Sequence, residues 1–230
     1  MPNQLLAINT TTRECSVALI ANEDIYSASE YSERGHDGIV LGLIEQVLQE
    51  SGLSKKDISC LAFGRGPGAF TGIRVATAVT QGLAVGLNLK VIPVSDLLNV
   101  AYQHHQATGH KRVAVSFDAR MGEVYAAVYE FAENNYQLAI EEQLAKPEQF
   151  LHQLELLSNS LVGVGNGFSE FSELNSSKNI IQEESNFALF PTALATAQLA
   201  QWMLILGYEC VDAFDALPVY LRNDVAHKKK

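Results

Sequence analysis

The sequence is short of most residues from which a self-sufficient site is assembled. Its three cysteines, Cys15, Cys60 and Cys210, are far apart, odd in number and set in apolar runs, with no C-x-x-C pair. A disulfide framework is excluded, and the expectation is buried free thiols in a reducing compartment. The six histidines (His36, His104, His105, His110, His152 and His227) form no H-x-x-x-H or H-E-x-x-H pair. Without two rings on one helical face, no metal is expected. No Ser-His-Asp or Cys-His set can be assembled by spacing, and no other acid/base pair stands out. Uninterrupted apolar runs stay below the ~20 residues of a membrane span, and the first, residues 5–8, is too short for a signal peptide. A cytoplasmic chain without membrane contact is expected. Basic residues are also scarce, 16 Lys and Arg against 26 Asp and Glu, for a formal charge of −10. Nucleic-acid binding is dominated by phosphate neutralisation, so this chain alone is not expected to grip RNA. Arg222 and the terminal Lys228, Lys229 and Lys230 read as a solvated basic end.

What is present is an ample core: 230 residues, 47% hydrophobic, enough for one or two domains. The chain is organised around residues 58–86, a short apolar strand (58–63), a glycine turn (Gly64-Arg65-Gly66-Pro67-Gly68-Ala69-Phe70-Thr71-Gly72) and a helix whose one charge is Arg74. A helix apolar or small nearly all round reads as buried. Its Gly82-x-x-x-Gly86 spacing admits a close neighbour, and each internal Gly costs about 1 kcal/mol against Ala. Before it come strands at 5–9, 15–20 and 25–31 and a helix at 36–50. The apolar residues of that helix, Ile39, Val40, Leu41, Leu43, Ile44, Val47 and Leu48, cover roughly 200°, against the ~100° that one core contact needs. The surplus is expected to seek a second partner. A strand at 90–94 and a helix at 95–106 complete the first half.

After the polar break at 107–112 the same order begins again. Strands fall at 113–118, 123–131 and 136–144, then a helix at 147–157 with Pro147 at its start and a strand at 161–164. Residues 168–185 show no secure periodicity; a helix at 192–206 and a short extended end at 218–221 close the chain. Three strands, helix, strand, helix, twice over, imply an α/β architecture of two tandem ribonuclease-H-like lobes, mixed sheets covered by helices. The expected lobes are 1–107 and 108–230, the final helix of the second being able to pack back on the first lobe.

The glycine turn has two readings. Free N–H groups at a helix start make an anion site, but no Lys-Ser/Thr pair follows, the third glycine comes one place early for a dinucleotide fingerprint, and Pro67 removes one donor. Tight turning and close packing are favoured. In kinase-like members of such folds the first hairpin holds phosphate, with an acidic residue ending the first strand; here that residue is Asn9, which cannot serve as a base. Thr10, Thr11 and Thr12 are the candidates to touch a nucleotide there, although turn bonds are the commoner role of such hydroxyls. Asp118 and Arg120 read as a surface ion pair.

Several strings resemble one family. Leu6-Ala7-Ile8-Asn9-Thr10-Thr11-Thr12, Cys15-Ser16-Val17-Ala18-Leu19, the stretch Gly64 through Arg74, Val94-Ser95-Asp96-Leu97, Asp118-Ala119-Arg120-Met121-Gly122-Glu123-Val124-Tyr125 and Pro218-Val219-Tyr220-Leu221-Arg222 are similar to the bacterial TsaB (YeaZ) family, over essentially the whole chain. Asn9, where the family pattern carries Asp, is the visible departure. The resemblance implies the fold shared by actin, sugar kinases and heat-shock chaperones, and a non-catalytic subunit in making threonylcarbamoyladenosine beside the tRNA anticodon. Its implied partners are the paralogous transferase TsaD and the ATPase TsaE, with a homodimer when alone and tRNA met only through the complex; no cofactor is implied. TsaD carries a metal-binding H-x-x-x-H where this chain has Asp96 and Val100. The family's partner contact is a bundle of its first two helices, which carries over to Ile39, Val40, Leu43, Ile44, Val47, Phe70, Ile73, Arg74, Thr77, Gly82 and Gly86. The rival reading is an enzyme, kinase-like with a nucleotide or glycoprotease-like with a metal.

Overall fold

A computed structural model describes residues 4–32, 38–133, 135–181 and 189–222. The start expected for the first helix at 36, the end of the unplaced segment 168–185 and the terminal lysines lie outside these. Two compact units emerge: Met1–Gln103 with Phe190–Pro218, and His104–Leu189 with Val219–Lys230.

In the first unit β1 (Gln4–Asn9), β2 (Glu14–Ala21), β3 (Asp24–Tyr31), β4 (Cys60–Gly64) and β5 (Val91–Val94) form one sheet in the order β3-β2-β1-β4-β5. β1 runs antiparallel to β2, with Leu6 opposite Leu19, and parallel to β4, with Leu6 opposite Leu61. These central strands are buried on both faces, which is why they read as continuous apolar runs rather than alternating ones. Leu6, Ile8, Val17, Leu19, Leu61 and Phe63 face a core closed by α1 (Val40–Ser51) and α2 (Phe70–Leu87). The alternate residues face α6 (Ala193–Ile205), which packs across β1, β2, β4 and β5. Thr192 caps α6 by accepting from the Ala195 N–H at 3.2 Å. The last helix thus supplies the second layer of the first sheet, and α3 (Asp96–Thr108) leads out of β5.

The second unit repeats the pattern with β6 (Arg112–Asp118), β7 (Val124–Ala132), β8 (Asn135–Ala145), β9 (Leu161–Val164) and β10 (Ile180–Ile181), ordered β10-β9-β6-β7-β8. Phe150 and Leu154 of α4 (Pro147–Leu156) and Phe168 of the short α5 (Gly167–Glu170) fill its core. The β6–β7 turn places Arg120 (φ 63°) and Met121 (φ 56°) in the left-handed region, which side chains disfavour. Arg222 braces it, donating to the Ala119 carbonyl at 3.0 Å and pairing with Glu123 at 2.6 Å. Asp118 and Arg120 form the expected ion pair at 2.9 Å, the Arg120 side chain 80% exposed. Residues 218–221 form no strand among the described residues.

Candidate functional site

α1 corrects the expectation of a surplus face. Val40, Leu43, Ile44 and Val47 are all buried in the first unit's core, and Ile39 packs half-buried at its rim. At 100° per residue the buried set spans about 140°, because α1 rests on both β2 and β3 and reaches Tyr26 and Ala28 of the edge strand. What α1 shows to solvent is Leu41, Gly42, Glu45, Gln46, Gln49 and Glu50, a polar face with one apolar residue. Val40, Leu43, Ile44 and Val47 are fold residues, and each contributes about 1.5–3 kcal/mol by burial.

α2 departs from expectation in the opposite sense. The helix expected to be buried all round is seated on one side only, through Gly72, Ile73, Ala76, Thr77, Thr80 and Ala84. Ile73 and Thr77 are therefore core rather than contact residues. By length and mean hydropathy α2 could cross a membrane, yet that buried side packs on β4 and β1. Its outer side carries Phe70, Thr71, Arg74, Ala78, Gly82, Val85 and Gly86, all exposed. Over these seventeen residues the stripe runs about 24 Å. Its one charge, the Arg74 guanidinium, lies over the Phe70 ring at 3.8 Å. A Cβ built at Gly82 or Gly86 meets nothing within 4 Å among the described residues. The glycines therefore form a shallow groove that no described element of this chain fills.

The end of the first sheet is filled. Asn9 Nδ2 donates to Asp96 Oδ1 at 2.6 Å and to Thr196 Oγ1 at 3.3 Å, while its Oδ1 accepts from the Thr11 N–H at 3.1 Å and Thr11 Oγ1 at 2.8 Å. Asp96 Oδ2 accepts from the Gly66 N–H at 2.7 Å, and Asn9, Thr11, Asp96 and Thr196 are all buried. The Asn9 amide both donates to Asp96 and accepts from Thr11, two roles that an ionised carboxylate cannot combine. Thr10 Oγ1 donates to the Gly72 carbonyl at 2.6 Å, and Thr12 Oγ1 turns to the backbone of Glu14. All three threonine hydroxyls are hydrogen-bonded within the fold.

The glycine turn is a packing corner. A Cβ at Gly64 would strike Asn9 and Asp96, one at Gly68 the Thr11 carbonyl at 2.6 Å, and one at Gly72 the Thr10 carbonyl. Three of its N–H groups are engaged: Arg65 N with Val94 O, Gly66 N with Asp96, and Ala69 N with Thr11 O. Val100, one turn beyond Asp96 on α3, is buried, and among the described residues no group of three His, Cys, Asp or Glu is placed to hold a metal.

One contact lies outside the sequence reading. The His104 and His110 rings stack with Nε2 and Nδ1 3.1 Å apart, six residues apart across the end of α3, a pairing no helical spacing rule would find. Burial, with Cys210 as a lesser cause, pushes the Cys60 thiol up to about 12. Cys15 is also pushed up to about 12 by burial and by Glu30 and Glu14. All three thiols are free, with Cys210 half-buried.

Comparisons with known proteins agree with this geometry. A family model described as TsaD, tRNA N6-adenosine threonylcarbamoyltransferase, matches residues 24–216. The chain is 38% identical to the tRNA threonylcarbamoyladenosine biosynthesis protein TsaB of Escherichia coli (strain K12), covering 98% of this chain and 97% of the relative. It is likewise 38% identical to the protein of that name from Haemophilus influenzae, over 98% and 96%. Among solved structures, YeaZ from Pseudomonas aeruginosa superposes with a TM-score of 0.80 at 34% identity, covering 95% of this chain and all of that one.

Proposed function

The chain belongs to the TsaB (YeaZ) family of tRNA threonylcarbamoyladenosine biosynthesis proteins, and from that premise we propose that it serves as a non-catalytic subunit, docking its TsaD-type paralogue through the exposed side of α2. The observation that carries this is the 24 Å stripe, apolar or small apart from Arg74, with an open glycine groove at one end. A neighbouring helix can approach Gly82 and Gly86 more closely than it could any other residue pair at that spacing. Phe70 at the other end offers the aromatic anchor that interfaces favour.

The same reading accounts for the corner at the strand ends. Where the transferase carries its His ligands, this chain has Asp96 and Val100, both buried, and Asp96 is spent on Asn9 and Gly66. Three N–H groups of the glycine turn and the hydroxyls of Thr10, Thr11 and Thr12 are bonded within the fold, so the enzymatic readings have least support here. Assembly with the transferase brings in the TsaE-type ATPase, and tRNA is met only through the complex, since a chain of charge −10 repels it. Without its paralogue, a second copy of the chain takes the same face in a two-fold dimer. The work is done in the cytoplasm. Reconstitution tests this: tRNA, threonylcarbamoyl adenylate, transferase and ATPase are assayed with and without this chain. Modification that needs this chain, with none from this chain alone, is expected; modification by this chain alone would refute the proposal.

A further inference from the structure

We propose that the TsaD-type transferase, once docked on α2, also seats on Phe214 and Leu217 in the segment after α6, an extension that rests on the docking proposed above. Size is the first reason. The outer side of α2 is a strip about 24 Å long and about 10 Å wide, a few hundred Å² once its relief is counted, whereas a stable pair buries about 800 Å² on each partner. A lasting heterodimer therefore needs further apolar surface beside α2, and one flank of the helix supplies it.

The short helical turn Ala213–Asp215 packs on α2. Gln81 Nε2 donates to the Ala216 carbonyl at 3.1 Å. Gln81 stands three residues after Ala78 and four before Val85 of the exposed stripe, the spacing of neighbours on a helix surface. Ala213 and Ala216 are buried in the core under α1 and α2, which leaves Phe214 and Leu217 outside, 81% and 57% exposed. The backbone that presents them is tightly bonded. Asp215 N and Ala216 N both donate to the Asp212 carbonyl, at 3.0 and 3.1 Å, and Val211 exchanges two bonds with Val91 at 3.0 and 2.8 Å. A large ring held out on such a backbone loses little freedom on docking, which suits an interface anchor. Asp215 is exposed next to Phe214, so the transferase surface that receives the ring is an apolar pocket with Lys or Arg at its rim.

Titration calorimetry of the transferase against the native chain, Phe214→Ala, Leu217→Ser and Gly82→Leu tests this. Phe214→Ala should weaken affinity at least about tenfold and Leu217→Ser by less, both with native thermal midpoints because both side chains already stand in water. Native affinity in these two variants, with weak binding by Gly82→Leu, would overturn the extension and leave docking through α2 standing. Native affinity in all three would remove both. Self-association lost in Phe214→Ala, with affinity for the transferase unchanged, would assign the surface to a second copy of this chain and equally overturn the proposal.

Discussion

Replacing Asn9 by Asp should make stability strongly pH-dependent. In the native chain the Asn9 amide donates to Asp96 Oδ1 at 2.6 Å, with both side chains buried. Asn9→Asp puts a carboxylate oxygen where that donor was. Losing a hydrogen bond to a charged group costs about 1.5–3 kcal/mol. Two carboxylates at that separation, shielded from water, cannot both ionise, so the pair retains a proton at a pH where an ordinary carboxyl has lost it. The folded variant then binds more protons than the unfolded chain, whose carboxyls titrate near 3.9, so its stability falls as pH rises above that value. The slope is about 1.4 kcal/mol per pH unit for one proton, and the fall ends once the pH passes the raised folded-state value. Urea unfolding of native protein and variant from about pH 4 to about pH 8 reads it directly, with an unchanged denaturant slope. The gap should be small at the acid end and reach about 3–5 kcal/mol near neutrality, the scale of a broken buried pair. A gap that stays constant across pH would refute the shared-proton argument.

Other perturbations separate core from contact residues. Leu43→Ala should cost about 2–5 kcal/mol in chemical denaturation, and Leu43→Asp should abolish folding by circular dichroism; a folded Leu43→Asp that merely fails to dock would return α1 to the interface. Gly72→Ala drives a methyl into the Thr10 carbonyl and should destabilise by about 1–3 kcal/mol, seen as a lowered thermal midpoint. Arg222→Met removes the closer of the two cations on Glu123 and one donor each from the Ala119 and Arg120 carbonyls, and should cost about 1–3 kcal/mol while speeding proteolysis at Arg120.

Nine of the ten described strands were legible, all but β10 (Ile180–Ile181), because the inner strands are uniformly apolar and the helices carry clear ends, such as Gly52 at φ 69° after α1. Faces were harder. The wide apolar arc of α1 was read as surplus because a helical wheel does not show that one helix can rest on two strands. α2 was read as buried because small residues look alike in a core and on a docking surface; only the empty space around Gly82 and Gly86 separates the two. Asn9 could be seen as a departure from the family pattern, but not as Asp96's hydrogen-bond partner, since 87 positions separate them. The His104–His110 pair escaped because spacing rules describe one element, and His110 lies beyond the end of α3.

The most direct test of the docking account is the affinity of the TsaD-type transferase for Gly82→Leu. The position is exposed and helical, so the variant should fold at least as well as the native chain, gaining about 0.8 kcal/mol in helix propensity. Its side chain stands where a neighbouring helix must approach. Titration calorimetry should show affinity weakened at least about tenfold, or ~1.4 kcal/mol, with the thermal midpoint held or raised. A stable variant that binds the transferase as tightly as the native chain would contradict docking through α2.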